Sequence, residues 1–135
     1  LLELEVTEKL PKLLLQPQSI QQVILNLVDN AFDALRYKTG TNEKKSIRVH
    51  AALTEEDEQF YLNIDVCDNG IGMSKDTIKH SQEAFFTTKP PSEGTGLGLS
   101  IVNDIVKKHN GRVDIESKEG EYTKMKIVIP ATFDE

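Results

Sequence analysis

The chain has 135 residues, 38% apolar and 28% charged, with no Trp, one Cys and a formal net charge of −6. That length reads as one domain, 1–135, large enough to bury a core. The acidic balance excludes a sequence-independent nucleic-acid binder, which needs a basic face against phosphates, and a single Cys67 excludes an intramolecular disulfide framework.

No stretch approaches the ~18 apolar residues of a membrane span, and no charged-then-apolar leader is visible. A chain opening on Leu-Leu-Glu reads as a fragment of a longer protein, cytoplasmic and not inserted in a membrane. "LELEV" alternates like a half-buried strand, and "LPKLLLQP" is a connection held by prolines. Ser19 with Gln22 forms a capping-box pattern, so a long helix is expected from Ser19 to about Tyr37, with Ile20, Val23, Ile24, Leu27, Ala31, Ala34 and Leu35 at helical spacing. "IRVHAAL" and "FYLNIDVC" read as two strands of an antiparallel hairpin joined by the acidic "TEEDEQ". Cys67, in the second of them, is expected in the core. A short helix near Lys75–His80 is capped by Ser74. A second long helix runs through "LGLSIVNDIVKKH" and stops at Gly111. "RVDIES", the turn "KEGE" and "YTKMKIVIP" close the chain as a hairpin. This order predicts an α+β two-layer sandwich, a mixed and mostly antiparallel sheet covered on one face by about three helices.

Four short patterns carry chemistry. On the first long helix Asn26, Asn30 and Asp33, extended by Gln22, share one stripe. Partly buried amides need partners, and an amide oxygen suits a hard cation such as Mg²⁺; a hydrogen-bonded structural stripe fits the spacing equally. In "DNGIGM", Asp68 ends a strand, where a carboxylate can accept from an exocyclic amine such as that of adenine. Gly70 and Gly72 allow positive φ or close backbone approach, and a tight turn explains the same residues. In "GTGLGLS", Gly94, Gly96 and Gly98 precede a helix whose first N–H groups suit phosphate. The pattern is neither a dinucleotide fingerprint nor a Walker A loop. In "FFTTK", Thr87, Thr88 and Lys89 offer hydroxyls and a compact cation to a terminal phosphate, while Phe85 or Phe86 anchors the loop. None of the three histidines reads as catalytic.

In this order the patterns resemble the ATP-binding catalytic domain of sensor histidine kinases, in the Bergerat-fold group shared with gyrase, heat-shock ATPase chaperones and mismatch-repair ATPases. "QVILNLVDNAFDAL" looks like the asparagine box, "DNGIGM" and "GTGLGLS" the two glycine boxes, and "FFTTK" the phenylalanine box. The resemblance implies ATP and Mg²⁺ as cofactors, with Asn30 and Asn26 on the metal and Asp68 on the adenine amine. It implies further nucleotide contacts from Asp33, Gly70, Gly72, Met73, Thr87, Thr88, Lys89, Gly94, Thr95, Gly96, Leu97, Gly98, Leu99 and Thr123, under a mobile lid of about 72–96. Asn30, Thr88 and Lys89 would act on the transferring group. The implied acceptor is a histidine on an upstream dimerisation domain, absent here, in a homodimeric protein serving a response regulator receiver domain. The fragment would then bind ATP without phosphorylating itself.

Departures from the pattern sharpen this. The hydrolysing relatives carry a water-activating Glu where this chain has Asn26, which favours transfer to another residue over hydrolysis. Asp33 stands where many such kinases have a basic residue, leaving Lys89, with Arg36, to supply positive charge. Gln16-Pro17 replaces the usual acidic-Pro, and Tyr122 stands where Gly is common. An ATP-hydrolysing machine, an anti-sigma-type serine kinase and a non-catalytic nucleotide sensor are the alternatives.

Overall fold

The structure, a computed structural model, describes residues 2–6, 17–40, 42–80 and 98–131. The elements in chain order are β1 (Leu2–Val6), α1 (Pro17–Arg36), β2 (Ile47–Glu56), β3 (Gln59–Asp68), α2 (Lys75–His80), α3 (Gly98–Lys108), β4 (Arg112–Lys118) and β5 (Tyr122–Ala131). The strands form one sheet in the order β1-β2-β3-β5-β4. β1 pairs parallel with β2, and every other pairing is antiparallel.

Period-two alternation decides the layers. β3 turns Leu62, Ile64, Val66 and finally Asp68 to the buried side, and Tyr61, Asn63, Asp65 and Cys67 to the other. Ile47 and Val49 from β2 and Met125, Ile127 and Ile129 from β5 extend the buried surface. Two helices cover it: α1 with Val23, Leu27, Ala31 and Leu35, and α3 with Val102 and Val106. Both stripes follow the i, i+3/i+4 rule of an amphipathic helix. The third helix, α2, is six residues long with none buried, so it adds no buried residue to the covering layer. Leu27, 1% exposed, sits at the centre of this layer. Leu27→Ala is expected to cost about 2–5 kcal/mol, read as a lowered urea midpoint with an unchanged slope.

Three local expectations are corrected. α1 starts at Pro17, two residues before Ser19. A proline lacks only an N–H that the first turn leaves unused, so the helix gains a start there at no cost in bonding. The expected hairpin forms with a tighter turn than the six acidic-stretch residues suggest: β2 and β3 pair through Glu56↔Gln59, leaving a two-residue turn at Asp57 and Glu58, with φ of 51° and 66°. Two left-handed residues make the turn whose twist matches a hairpin; the ladder on both sides holds them there without glycine. Cys67 lies on the face opposite the core, because Val66 before it takes the inward position. The residues 7–16, which include most of "LPKLLLQP", lie outside the described residues.

Candidate functional site

Among the described residues two polar side chains are buried with the core, Asp68 (5% exposed) and Thr123 (4%). They are direct cross-strand partners in the β3–β5 register. A carboxylate placed at an inward strand position, where apolar residues precede it, is desolvated by the fold itself. Burial pushes the Asp68 carboxyl up from 3.8 to about 6, against the pull of the Gly70 N–H and of the Lys38 charge. The Gly70 N–H donates to Asp68 Oδ1 at 2.8 Å, leaving Oδ2 as the acceptor available to a ligand. This end of the sheet can take a hydrogen bond from an amine presented in an apolar setting.

The segment after Asp68 is strapped between α1 and the β4–β5 turn. Ile71 N–H donates to Ala34 C=O at 3.1 Å, and Ile71 C=O accepts from Gly120 N–H at 2.6 Å. Both glycines are required by these approaches. A Cβ on Gly70 would stand 2.5 Å from the carbonyl carbon of Ala34, and Gly72, at φ +67°, would drive one into the Lys118 carbonyl. The close backbone approach expected at these glycines is therefore made to the protein's own helix and hairpin. Ser117 Oγ completes the strap. It accepts from Met73 N–H at 2.8 Å, donates to Tyr122 C=O at 2.7 Å and lies 2.9 Å from Thr123 Oγ1. Tyr122, the residue before it, leaves Thr123 in this network.

Ala34 is also where the asparagine stripe ends. Asn30 lies one turn before it, roughly 6 Å along the helix axis, so the stripe leads up to the Asp68 turn. Asn30 is half-buried with its amide nitrogen buried. Asn26 Oδ1 accepts from Gln22 Nε2 at 2.9 Å, and Asp33 is paired with Arg36 at 3.1 Å. Of the stripe, then, Asn30 is the amide closest along α1 to the Asp68 turn. Arg36, expected to supply charge to a phosphate, is committed to Asp33 in this structure. Gly98 opens α3 and Leu99 packs on the core; what these positions offer a ligand is the first-turn N–H groups. Thr87, Thr88, Lys89, Gly94, Thr95, Gly96 and Leu97, with Phe85 and Phe86, lie outside the described residues, as does most of the lid span. Among the described residues no group of three His, Cys, Asp or Glu side chains could hold a metal ion.

Sequence reasoning missed Lys38, Asn69 and Ser117. Asn69 looked like a turn former. Its side chain instead accepts from Ser46 N–H at 2.8 Å and donates to Glu43 Oε1 at 2.9 Å and Lys44 C=O at 2.8 Å, fastening the 42–46 loop beside Asp68. Lys38 stands in a polar stretch after α1 with nothing in its neighbours to mark it.

Residues 15–132 match the family described as histidine kinase-, DNA gyrase B-, and HSP90-like ATPases. The chain is 33% identical over 129 residues to sporulation kinase E of Bacillus subtilis, covering 96% of this chain and 16% of that protein. The catalytic domain of histidine kinase ThkA, in a nucleotide-free form, superposes with a TM-score of 0.73 at 28% identity, over 96% of this chain and 78% of that one. Full-length ShkA in complex with AMPPNP shares the fold, with a TM-score of 0.80 at 22% identity over 98% of this chain and 26% of that one. The chain spans about one sixth of the length of sporulation kinase E. With the family match extending from the residues before α1 to the end of β5, this chain belongs to the histidine kinase-, DNA gyrase B- and HSP90-like ATPase family.

Proposed function

We propose that this domain binds Mg-ATP and supplies its γ-phosphoryl group to a histidine on an upstream dimerisation domain, as the catalytic module of a two-component sensor kinase. The observation that carries the reading is the buried Asp68–Thr123 pair, a polar site built into an apolar layer at the position the sequence resemblance assigns to the adenine amine. Asp68 Oδ2 accepts the adenine amine, and Thr123, held by Ser117, lies beside it. The amide oxygen of Asn30 suits a hard cation. When bound, such an ion offsets the charge of the triphosphate during transfer. Asn26, engaged with Gln22, offers no carboxylate to activate water, which favours a protein acceptor over hydrolysis.

Lys89 and Thr88 would stabilise the transferring group, with Thr87 and the Gly94–Leu99 stretch on the phosphates. The parent protein would be a homodimer that passes the phosphoryl group to a response regulator receiver domain, with this domain on the cytoplasmic side. No helix among the described residues is long and apolar enough to cross a membrane.

Calorimetric titration with Mg-ATP is expected to show saturable 1:1 binding. Asn30→Ala should weaken Mg-ATP while affecting metal-free ATP much less, since it removes a ligand of the cation rather than of the base. Absence of binding at millimolar nucleotide would sink the assignment. Joining the upstream helical segment should yield acid-labile, base-stable label from γ-labelled ATP; acid-stable label would point to serine.

A further inference from the structure

We propose that Lys38 is a positioning residue for nucleotide recognition, fixing through the Asn69–Gly70 peptide the donor that holds Asp68 and placing its own charge beside that carboxylate. The inference rests on the reading of Asp68 as the adenine acceptor. One peptide group is bonded at both ends: Lys38 Nζ donates to Asn69 C=O at 2.7 Å, and the N–H of that same peptide, on Gly70, donates to Asp68 Oδ1 at 2.8 Å. An ammonium on the carbonyl polarises the peptide and strengthens its N–H as a donor. It also prevents the peptide from turning its oxygen toward the carboxylate.

The Lys38 side chain is 11% exposed, so its charge is weakly screened. Glu43 Oε2, on a side chain 56% exposed, lies 3.9 Å from Nζ and offsets that charge only in part. The other groups around Asp68 do not replace it. Its register partners Ile47 and Thr123 are uncharged. On α1 the residue packed against Gly70 of the same turn is Ala34, with Asp33 beside it held by Arg36. Cys67, which precedes Asp68, lies on the opposite face of β3, and its thiol is pushed up first by burial and then by the Asp68 charge. Among the described residues Lys38 is the cation that acts on Asp68. Asn69 makes the arrangement rigid, since its side chain ties the loop carrying Glu43 to the same turn.

The test is a carboxyl ¹³C NMR titration of nucleotide-free protein, paired with Mg-ATP affinity from about pH 5.5 to about pH 8.5. It compares wild type with Lys38→Met, Lys38→Arg and Glu43→Gln. Lys38→Met should raise the Asp68 midpoint and weaken ATP binding at neutral pH about two-fold or more. The deficit should close at the alkaline end, and Lys38→Arg should restore the wild-type profile. Glu43→Gln should move the midpoint the other way, which keeps the idea testable if the Met variant fails to fold. An unchanged midpoint in Lys38→Met, or an equal loss of affinity at every pH, would overturn the proposal. Wild-type protein that fails to bind ATP would remove the adenine reading, while the NMR midpoints still decide the link between Lys38 and Asp68.

Discussion

Asp68→Asn is expected to abolish useful nucleotide binding and, in the nucleotide-free protein, to raise stability. The binding loss follows from replacing an ionised acceptor by an amide that presents a second donor to the adenine amine, worth on the order of 100-fold in affinity. The stability gain has the opposite sign because the wild-type carboxylate is held in a desolvated place. Its proton equilibrium lies at about 6 in the folded chain against the ordinary 3.8, so the folded state binds the proton more tightly than the unfolded one. Stability therefore falls as pH rises from 3.8 to about 6 and carries the full penalty above that. At about 1.4 kcal/mol per tenfold change, the penalty at neutral pH is at most about 3 kcal/mol. The amide carries none of it and can still accept from Gly70. Urea unfolding at neutral pH should place the variant above wild type, and the gap should close near pH 4. A variant less stable than wild type at neutral pH would show that the ionised carboxylate stabilises the apo-protein.

Gly70→Ala should be among the most damaging single methyls in the described fold. The added carbon would meet the Ala34 carbonyl carbon, its oxygen and its Cβ at 2.5 to 2.7 Å. None of these is the far end of a flexible side chain, so the Asp68 turn has to lift off α1. Expected is a loss of about 3 kcal/mol together with loss of ATP binding, because the same shift breaks the Ile71–Ala34 bond and moves the Gly70 donor off Asp68. Gly120→Ala is the control: it has φ +81° but open space around it, and should cost about 1 kcal/mol. Chemical denaturation of the two variants separates a packing clash from backbone strain.

Much of the fold was legible because its signals are local. Alternation in "FYLNIDVCD" and the 3.6-residue spacing of Val23, Leu27, Ala31 and Leu35 each depend on a few neighbouring residues. The same alternation, followed to the end of β3, assigns Val66 and Asp68 to the core side and Cys67 to the open one. The expectation of a buried cysteine came from its apolar surroundings instead of its parity. The hairpin turn at Asp57 and Glu58 was hidden because its left-handed pair lacks the usual glycine or asparagine, and only the long ladder reveals it.

By itself, then, the sequence determined the layers, a carboxylate at the end of a strand, the asparagine stripe and the glycines beside the turn, since each follows from periodicity or residue type within a short window. The tertiary structure decided what those residues serve. It put Gly70 against α1 and Gly72 against the β4–β5 turn, brought Thr123 opposite Asp68, and recruited Lys38 and Ser117 from distant segments. Partners 31 and 44 residues apart in the chain leave no local signature, because which donor meets which carbonyl depends on how helix and sheet pack.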